Sequence, residues 1–268
     1  MSVSPSPRQR SVIITRLRAA GCVFAEDEAR LLVSAAQTPA DLAGMVDRRA
    51  AGLPLEQVIG WAEFCGLRIA LDPGVFVPRR RTEFLVRQAA ALAPPRAVLV
   101  DLCCGSGAVG AALAAALDRA ELYAVDIDPA AAACARRNVA ATGGQVYDGD
   151  LYEPLPATLR GRIDILVANA PYVPTEDVGL MPAEARLHEP RVALDGGQDG
   201  LDIQRLVIAA APLWLAPGGH LLVETSARQA AQTVESVARC GLVPRVSCSE
   251  ELNATVVIGN RPALDGGP

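Results

Sequence analysis

The residues with the clearest chemical role are Asn169, Ala170, Pro171 and Tyr172, which directly follow the apolar run Ile163–Ala168. Such a run is typical of a buried strand, and the proline disfavours the helical conformation at the residue before it. The asparagine amide, the alanine carbonyl and the tyrosine ring are therefore expected to face one cleft. A nitrogen of an amide or aniline type has a delocalised lone pair. A transferase acting on it must hold both hydrogens, and one asparagine oxygen with one backbone carbonyl can do so.

A second candidate site follows the apolar residues at 98–102. Asp101 lies near the end of this run, and the turn after it consists of Cys103, Cys104, Gly105, Ser106 and Gly107. The backbone of a glycine-rich turn can approach a ligand closely. Residues 105–110 fit Gly-x-Gly-x-x-Gly, so an NAD-binding dehydrogenase is one interpretation, although that motif alone is weak. The acid before the glycines suits an ammonium group better than a pyrophosphate.

Two later acids extend this site. Asp126 closes the next predicted strand, where a carboxylate can accept hydrogen bonds from ribose hydroxyls. Asp150 and Leu151 follow the third strand and could bind an adenine amino group and pack on its ring. Acids for an ammonium group, for ribose hydroxyls and for an adenine amino group, one after each of three successive strands, together fit S-adenosylmethionine. Capping of a helix or turn is the simpler alternative for Asp101 or Asp126 taken alone.

The elements that must position these residues alternate between strand and helix, which predicts an α/β fold with a Rossmann-like, doubly wound and mostly parallel sheet. Helices are predicted to begin near residues 108, 129, 200 and 227. Seven strands are predicted, at residues 97–102, 121–125, 146–148, 163–168, 220–224, 244–246 and 254–258.

The first part of the chain has a different pattern. Residues 8–52 have apolar residues at helical spacing, which predicts about three helices, and Thr38 and Pro39 fit the start of one of them. Residues 57–60 and 67–71 are predicted to form short strands. We therefore predict three parts: an N-terminal helical domain at 1–52, a connecting β-hairpin at 53–78, and a catalytic domain at 79–268.

Composition narrows the function further. The 268 residues are 51% hydrophobic with a formal net charge of -5, so nucleic acid is a disfavoured partner. All 25 basic residues are arginine, which excludes a lysine Schiff base.

The seven cysteines lack a Cys-x-x-Cys spacing and have only two histidines as companions, which indicates neither a metal site nor disulfide bonds. The polar N-terminus and the lack of ~18 uninterrupted apolar residues predict no membrane association and a cytoplasmic protein.

Several motifs occur in an order that chance does not readily produce: PLEQVIG at 54–60, VPRRRTE at 77–83, DLCCGSG at 101–107 and NAPY at 169–172. They are followed by Glu184, His188-Glu189-Pro190, Ala193-Leu194, Gly196-Gly197, Asp199-Gly200-Leu201, Pro217-Gly218-Gly219 and Glu224. With these motifs the chain resembles the HemK-type protein-(glutamine-N5) methyltransferases, which methylate glutamine side chains in translation release factors. The resemblance spans roughly residues 52–258.

The resemblance implies a class I S-adenosylmethionine-dependent methyltransferase, with a peptide chain release factor as the protein partner and its Gly-Gly-Gln glutamine as the target. The implied cofactor contacts are 103–107, Asp126, Leu151 and Asn169, and the implied substrate site is 169–172. Thr82 and Glu83 lie in a segment similar to the family's cofactor-closing linker. The N-terminal helical domain corresponds to the family's docking region for the protein substrate.

The chain departs from the family pattern at three places. The family usually has proline at position 170, and alanine keeps the carbonyl while losing the rigid ring. Arg80 and Arg81 stand where the family usually has proline and an acid. The helical N-terminal segment is shorter than is typical.

Alternative functions remain open at this point. An N6-adenine methyltransferase uses a similar four-residue motif, because an exocyclic amine has the same geometry as an amide. A small-molecule N-methyltransferase or a non-catalytic protein that binds S-adenosylmethionine would share the fold. Cys103 and Cys104 are expected to fill space in the loop. His188 is expected to make a loop contact and His220 to lie at a strand edge.

Overall fold

The computed structural model describes residues 3–263. Residues 1–2 and 264–268, the outer ends of the predicted N-terminal and catalytic domains, lie outside the described residues. The described chain begins with four helices, α1 (Pro7–Ala19), α2 (Ala25–Ala35), α3 (Pro39–Ala50) and α4 (Leu55–Ile59). A hairpin of β1 (Trp61–Phe64) and β2 (Leu67–Ala70) follows.

The rest of the chain alternates as its sequence pattern predicts. The strands are β3 (Val98–Leu102), β4 (Glu121–Asp126), β5 (Gln145–Asp148), β6 (Ile163–Ala168), β7 (Leu215–Thr225), β8 (Val243–Ser249) and β9 (Ala254–Asn260). The helices are α5 (Glu83–Leu92), α6 (Ala108–Ala116), α7 (Pro129–Val139), α8 (Ala183–His188), α9 (Asp202–Trp214) and α10 (Ala230–Arg239). Short 3-10 turns complete the connections, including Arg80–Thr82 just before α5.

The seven strands form one sheet in the order β5-β4-β3-β6-β7-β9-β8. Strands β5, β4, β3, β6 and β7 are parallel, and β9 runs antiparallel to its neighbours β7 and β8. The predicted doubly wound, mostly parallel seven-stranded sheet is confirmed. Chain order reverses between β3 and β6, and ligands of such sheets bind outside the carboxyl ends of the strands at this point.

Helices cover both faces of the sheet, and so the central strands are apolar on both sides. All five residues of β3 are buried. On one face α5 and α6 pack Leu85 and Leu113 against Leu99 and Ile165. On the other face α9 and α10 pack against the alternate residues of the same strands. The strand ends that carry the predicted site are therefore held by a rigid support.

The three predicted N-terminal helices are confirmed as α1, α2 and α3. The Thr38 hydroxyl accepts a hydrogen bond from the Asp41 N–H at 3.1 Å, so Thr38 caps α3 as predicted. Leu17 and Leu32 are fully buried in a core cluster that α1, α2, α3 and α4 share. This cluster is separate from those of the sheet.

The predicted strand at residues 57–60 is wrong, because this segment is helix α4. Val58 is buried in the N-terminal cluster, and Leu55 and Ile59 pack beside it at helical spacing. Gly60, with φ of 82°, ends the helix in the left-handed conformation. The Gln57 amide donates hydrogen bonds to the Val75 and His188 carbonyl oxygens at 3.0 and 3.3 Å. Tertiary packing therefore overrides the local preference of these β-branched residues for a strand.

Among residues 3–263 there is no helix with the length and apolar character needed to span a membrane.

Candidate active site

One cavity opens at the carboxyl edge of the sheet, between the ends of β3, β4 and β6. All the predicted site residues except Gly107 line it. The linker before α5 and the segment around α8 contribute further walls, including Phe76, Arg79, Thr82, Pro190 and Val192. Both predicted sites, which lie about seventy residues apart in sequence, therefore share a single cavity.

The turn after β3 supplies mostly backbone to the cavity. Cys103 and Gly105 have φ values of 55° and 56°, which expose successive peptide groups. A Cβ atom on Gly105 would meet nothing within 4 Å, so the space beside its Cα atom is open. Gly107 has a different position, because a Cβ atom there would lie 2.9 Å from the Ala135 Cβ of α7. Its small size allows the loop to pack closely on that helix.

Asp101 is the buried acid of this site, with 2% of its surface exposed. Its Oδ2 accepts a hydrogen bond from the Gly110 N–H at 2.8 Å. The pKa of Asp101 is raised to about 7, mainly by burial and to a smaller extent by the nearby Asp126 charge, while the Gly110 hydrogen bond opposes the rise. A cationic group in the cavity would favour the ionised form.

Asp126 holds the loop in shape. Its Oδ2 accepts from the Gly105 N–H at 2.7 Å, and its Oδ1 accepts from the Asp128 N–H at 2.9 Å. Burial raises the pKa of Asp126, and these two N–H groups oppose that rise. Each oxygen keeps a second lone pair that can accept from a ligand. The capping alternative and the binding interpretation are therefore compatible at this residue.

Asp150 and Leu151 follow β5 and form one wall of the cavity. Leu151 has a φ of 46°, a conformation that is uncommon for a residue other than glycine. Its partly buried side chain and the exposed Asp150 both line the cavity. An apolar surface beside an acid can hold a flat ring that carries an amino group.

The two cysteines of the loop are not poised for nucleophilic chemistry. Burial raises the pKa of the Cys103 thiol, and the carboxylates of Asp126 and Asp101 raise it further. Burial likewise raises the pKa of Cys104 well above its ordinary value. Only a thiolate is an effective nucleophile. Neither His188 nor His220 is among the cavity-lining residues of the described chain.

Asn169 to Tyr172 leave the end of β6 as predicted and line the opposite side of the cavity. The Asn169 Nδ2 donates to the Thr82 Oγ1 at 3.4 Å. The Tyr172 hydroxyl donates to the Glu224 Oε1 at 3.4 Å, and the Gln229 amide donates to the Tyr172 carbonyl at 2.9 Å. Burial raises the pKa of Tyr172 to about 12, so its hydroxyl remains protonated at neutral pH.

Glycines of the segment after α8 pack against this motif. A Cβ atom on Gly196 would lie 2.6 Å from the Pro171 carbonyl oxygen, and one on Gly200 would lie 2.4 Å from the Tyr172 carbonyl oxygen. These separations are too short for any side chain. Backbone therefore meets backbone here, which fixes the position of the motif.

The structure adds charged residues to which no role was assigned from sequence. Arg79 makes a salt bridge with Glu189 at 2.6 Å, and its guanidinium lies 4.8 Å from the Phe76 ring centroid. Arg81 makes a salt bridge with Glu224 at 3.3 Å and lies 5.7 Å from the Tyr172 ring centroid. All four charged residues lie within motifs that support the family resemblance. Their partners lie more than a hundred residues away, and this is why no pairing was predicted.

Comparison with known proteins gives a consistent result. Residues 66–198 match the family model "Methyltransferase small domain". A curated release factor glutamine methyltransferase from Geobacter sulfurreducens is 40% identical over 220 residues, covering 81% of this chain and 76% of the relative. One from Mycolicibacterium smegmatis is 39% identical over 231 residues, covering 84% of this chain and 82% of the relative.

Solved structures support the fold. A methyltransferase from Pyrococcus furiosus superposes with a TM-score of 0.56 at 15% identity, covering 74% of this chain and 90% of that one. A ribosomal protein L11 methylase from Lactobacillus delbrueckii gives a TM-score of 0.50 at 15% identity, covering 69% of this chain and 80% of that one. At these identities the likeness concerns the fold alone.

Proposed function

This chain belongs to the release factor glutamine methyltransferase family, and from that premise we propose that it methylates the side-chain amide nitrogen of a glutamine in a peptide chain release factor, using S-adenosylmethionine. One observation carries the proposal: the Asn169 motif and the acids of β3 and β4 line one cavity. A methyl donor and an amide could therefore meet there.

The residues of the cavity fit S-adenosylmethionine. Asp101 is a buried acid suited to an ammonium group, and Asp126 keeps free lone pairs for ribose hydroxyls. Gly105 leaves open space beside the loop, and Asp150 with Leu151 offers an acid beside an apolar surface for the adenine ring. When bound, the cofactor supplies a methyl group activated by its positively charged sulfur.

The substrate amide would be held by three groups of the motif. The Asn169 Nδ2 is directed to Thr82, so its Oδ1 is left to accept one N–H of the glutamine amide. The Ala170 carbonyl accepts the other, and the Tyr172 ring packs on the amide plane. Holding both hydrogens in this way favours an orientation in which the nitrogen lone pair is free. Positioning of this kind supplies much of the rate in such reactions.

No general base is needed for this chemistry. A nitrogen that has just been alkylated is strongly acidic and can lose its proton to water. The Tyr172 hydroxyl is not available as a base, because burial raises its pKa to about 12 and keeps it protonated.

The proposal is tested by incubating the protein with purified release factors and S-adenosylmethionine labelled in its methyl group, followed by peptide mass mapping. We expect one methyl group on the glutamine of the Gly-Gly-Gln sequence. A release factor with that glutamine replaced by alanine is the substrate control and should remain unlabelled. Binding of the cofactor without transfer to any release factor would overturn the proposed substrate. Labelling of an adenine-containing oligonucleotide instead would favour the adenine alternative.

A further inference from the structure

Asn138, on α7, connects the β-hairpin to the turn after β3, residues 103–107, which we call the cofactor loop. Its Oδ1 accepts a hydrogen bond from the Ala70 N–H at 2.8 Å. Its Nδ2 donates to the Ala70 carbonyl oxygen and to the Ser106 carbonyl oxygen, each at 2.8 Å. The side chain is partly buried and is not among the cavity-lining residues of the described chain. One side-chain amide therefore holds a strand of the hairpin and the cofactor loop at the same time.

The hairpin gains a partner for its outer edge from this contact. Ala70 lies opposite Trp61 in the register of β1 and β2, and the N–H of the next residue, Leu71, donates to the Gly60 carbonyl at 2.9 Å. Backbone groups of an antiparallel strand face its partner at alternate residues, so those of Ala70 point away from β1. The Asn138 amide satisfies both of them, as a third strand would. A hairpin of two strands is marginally stable without such support.

The Ser106 carbonyl has no place in the hydrogen-bond ladder of α6. By helical spacing its donor would be the Gly110 N–H, which instead donates to the buried carboxylate of β3 at 2.8 Å. Asn138 supplies the missing donor. The same peptide group is held at its other end, because the Gly107 N–H donates to the Cys104 carbonyl at 2.8 Å. The peptide plane between Ser106 and Gly107 is thereby fixed.

Packing places α7 between the same two segments. On the side of the cofactor loop, Gly107 lies so close to Ala135 of α7 that no side chain would fit at 107. On the side of the hairpin, Cys134 of α7 is fully buried in a cluster with Leu71. The chain that continues from this cluster supplies the linker wall, the cavity-lining residues within 76–82. The cofactor loop and the linker wall are thus attached to one helix.

We propose that Asn138 is a positioning residue for the methyl donor: it fixes the shape of the cofactor loop and keeps the hairpin, with the linker wall beyond it, at a constant distance from that loop. The inference rests on the proposed function, because it takes S-adenosylmethionine as the ligand of the loop. Asn138 lies outside the cavity and acts on the donor through the loop. Its contribution therefore belongs to the affinity for the donor and not to the transfer step.

The first test compares two substitutions of Asn138. Asn138→Ala removes all three hydrogen bonds, whereas Asn138→Asp keeps the shape and the acceptor for the Ala70 N–H but loses both donors. We expect each variant to bind S-adenosylmethionine about 5- to 30-fold more weakly in titration calorimetry, as for the loss of one or two hydrogen bonds. At saturating donor, kcat should stay within about threefold of the wild-type value, because the transfer step is untouched. Wild-type affinity in both variants would overturn the proposal, as would a lower kcat with unchanged affinity.

Asn260→Ala is the matched control for general damage. Asn260 also holds backbone through its amide, because its Nδ2 donates to the Gly218 and Gly219 carbonyl oxygens at 3.1 and 3.4 Å. Both glycines lie near the start of β7, at the edge of the sheet opposite to the cavity. Asn260→Ala should lower the melting temperature, as Asn138→Ala does, and leave the affinity for S-adenosylmethionine unchanged. Equal losses of affinity would show that Asn138 acts only through stability.

Amide hydrogen exchange tests the connection between hairpin and loop. Saturating S-adenosylmethionine should slow the exchange of the Leu71 N–H, which donates within the hairpin, because a loop held by its ligand holds the hairpin through Asn138. We expect this protection to be lost in Asn138→Ala and retained in Asn260→Ala. Equal protection of Leu71 in all three proteins would contradict the connection.

The same measurement without ligand makes the inference independent of the reaction. In the free protein the Gly107 N–H should exchange faster in Asn138→Ala than in the wild type or in Asn260→Ala, because the Ser106 carbonyl is no longer held. Wild-type protein that neither binds the donor nor transfers a methyl group contradicts the proposed function, whereas faster exchange at Gly107 would still support the positioning. Unchanged exchange at Gly107 would overturn the positioning alone.

Discussion

The two halves of the cavity are built from different kinds of groups. The cofactor half, Asp101 to Gly107 with Asp126, consists of backbone N–H groups held by carboxylates at strand ends. The substrate half, Asn169 to Tyr172 with Thr82, Arg81 and Glu224, adds to its backbone packing a set of hydrogen bonds between side chains that lie far apart in sequence. Backbone geometry follows from the loop itself and tolerates changes of side chain. A network of side chains depends on each of its members, so we expect single substitutions to damage the substrate half more.

The largest effect should follow from Asn169→Ala, which removes the oxygen that accepts a substrate N–H. We expect kcat to fall by about 10²- to 10³-fold, the size reported when one preorganised hydrogen-bonding group is lost from a transition state. Cofactor affinity should fall much less, because the cofactor half is intact. Single-turnover methyl transfer and titration calorimetry measure the two quantities separately. Undiminished turnover would remove Asn169 from the mechanism and with it the contrast between the halves.

The next effect concerns charge in the cofactor half. Asp101 has a pKa raised by burial to about 7, and a bound ammonium group favours its ionised form. Affinity for S-adenosylmethionine should therefore fall as pH drops below 7, by up to about tenfold per pH unit. Asp101→Asn should abolish this dependence. Calorimetry between about pH 5.5 and 7.5, where the amino group of the ligand keeps its proton, tests it, with the exposed Asp118→Asn as a control that keeps the wild-type profile.

The same residue affects stability with a definite sign. Its folded pKa lies above its ordinary value, so between about pH 4 and pH 7 the folded protein binds a proton that the unfolded chain has lost. The contribution of Asp101 to the free energy of unfolding therefore falls as pH rises through this range, and is constant above it. Urea unfolding of the wild type and of Asp101→Asn, without cofactor, should differ in slope against pH in that direction. Equal slopes would show that Asp101 is ionised in both states.

A pair of glycine substitutions sharpens the comparison. Gly196→Ala places a Cβ atom 2.6 Å from the Pro171 carbonyl oxygen, so the motif must shift, and we expect kcat to fall about tenfold or more. Gly105→Ala meets no steric contact but strains a φ of 56°, and we expect cofactor affinity to fall about five- to tenfold. Each substitution should affect only its own half. Equal loss of cofactor affinity in both variants would show that the halves are not separable.

The smallest effect is expected from Ala170→Pro, which introduces the ring that the family usually has at this position. The alanine is 1% exposed and its carbonyl is unaffected by the change. Reduced freedom of the backbone is worth about 0.4 to 1 kcal/mol, so kcat should rise by no more than about fivefold. Methyl transfer to a release factor measures it. A fall in kcat would mean that the surroundings of position 170 have adapted to alanine.

The two halves of the cavity also differ in how much of each could be predicted from the sequence. Asp101, the glycine loop and Asp126 were predicted to lie together because strand ends and turns are local patterns, and the structure brings them together. The pairing of Arg81 with Glu224 was not predicted, because it depends on the packing of segments 143 residues apart. The fold was predicted for the same reason as the loop, from hydrophobic periodicity along short segments. The one strand predicted wrongly, at 57–60, failed because its apolar residues pack on the N-terminal helices.

The number of residues between hydrogen-bonded partners differs between the two halves, and this difference indicates an order of folding. Asp101 and Gly110 are nine residues apart, and Gly105 and Asp126 are twenty-one, so the cofactor half closes only short loops. Glu224 meets its partners across 52 and 143 residues, and the entropy lost in closing such loops must be recovered by packing that is already in place. We expect the cofactor half to assemble first during refolding. The ability to transfer a methyl group would then return later than the ability to bind its donor.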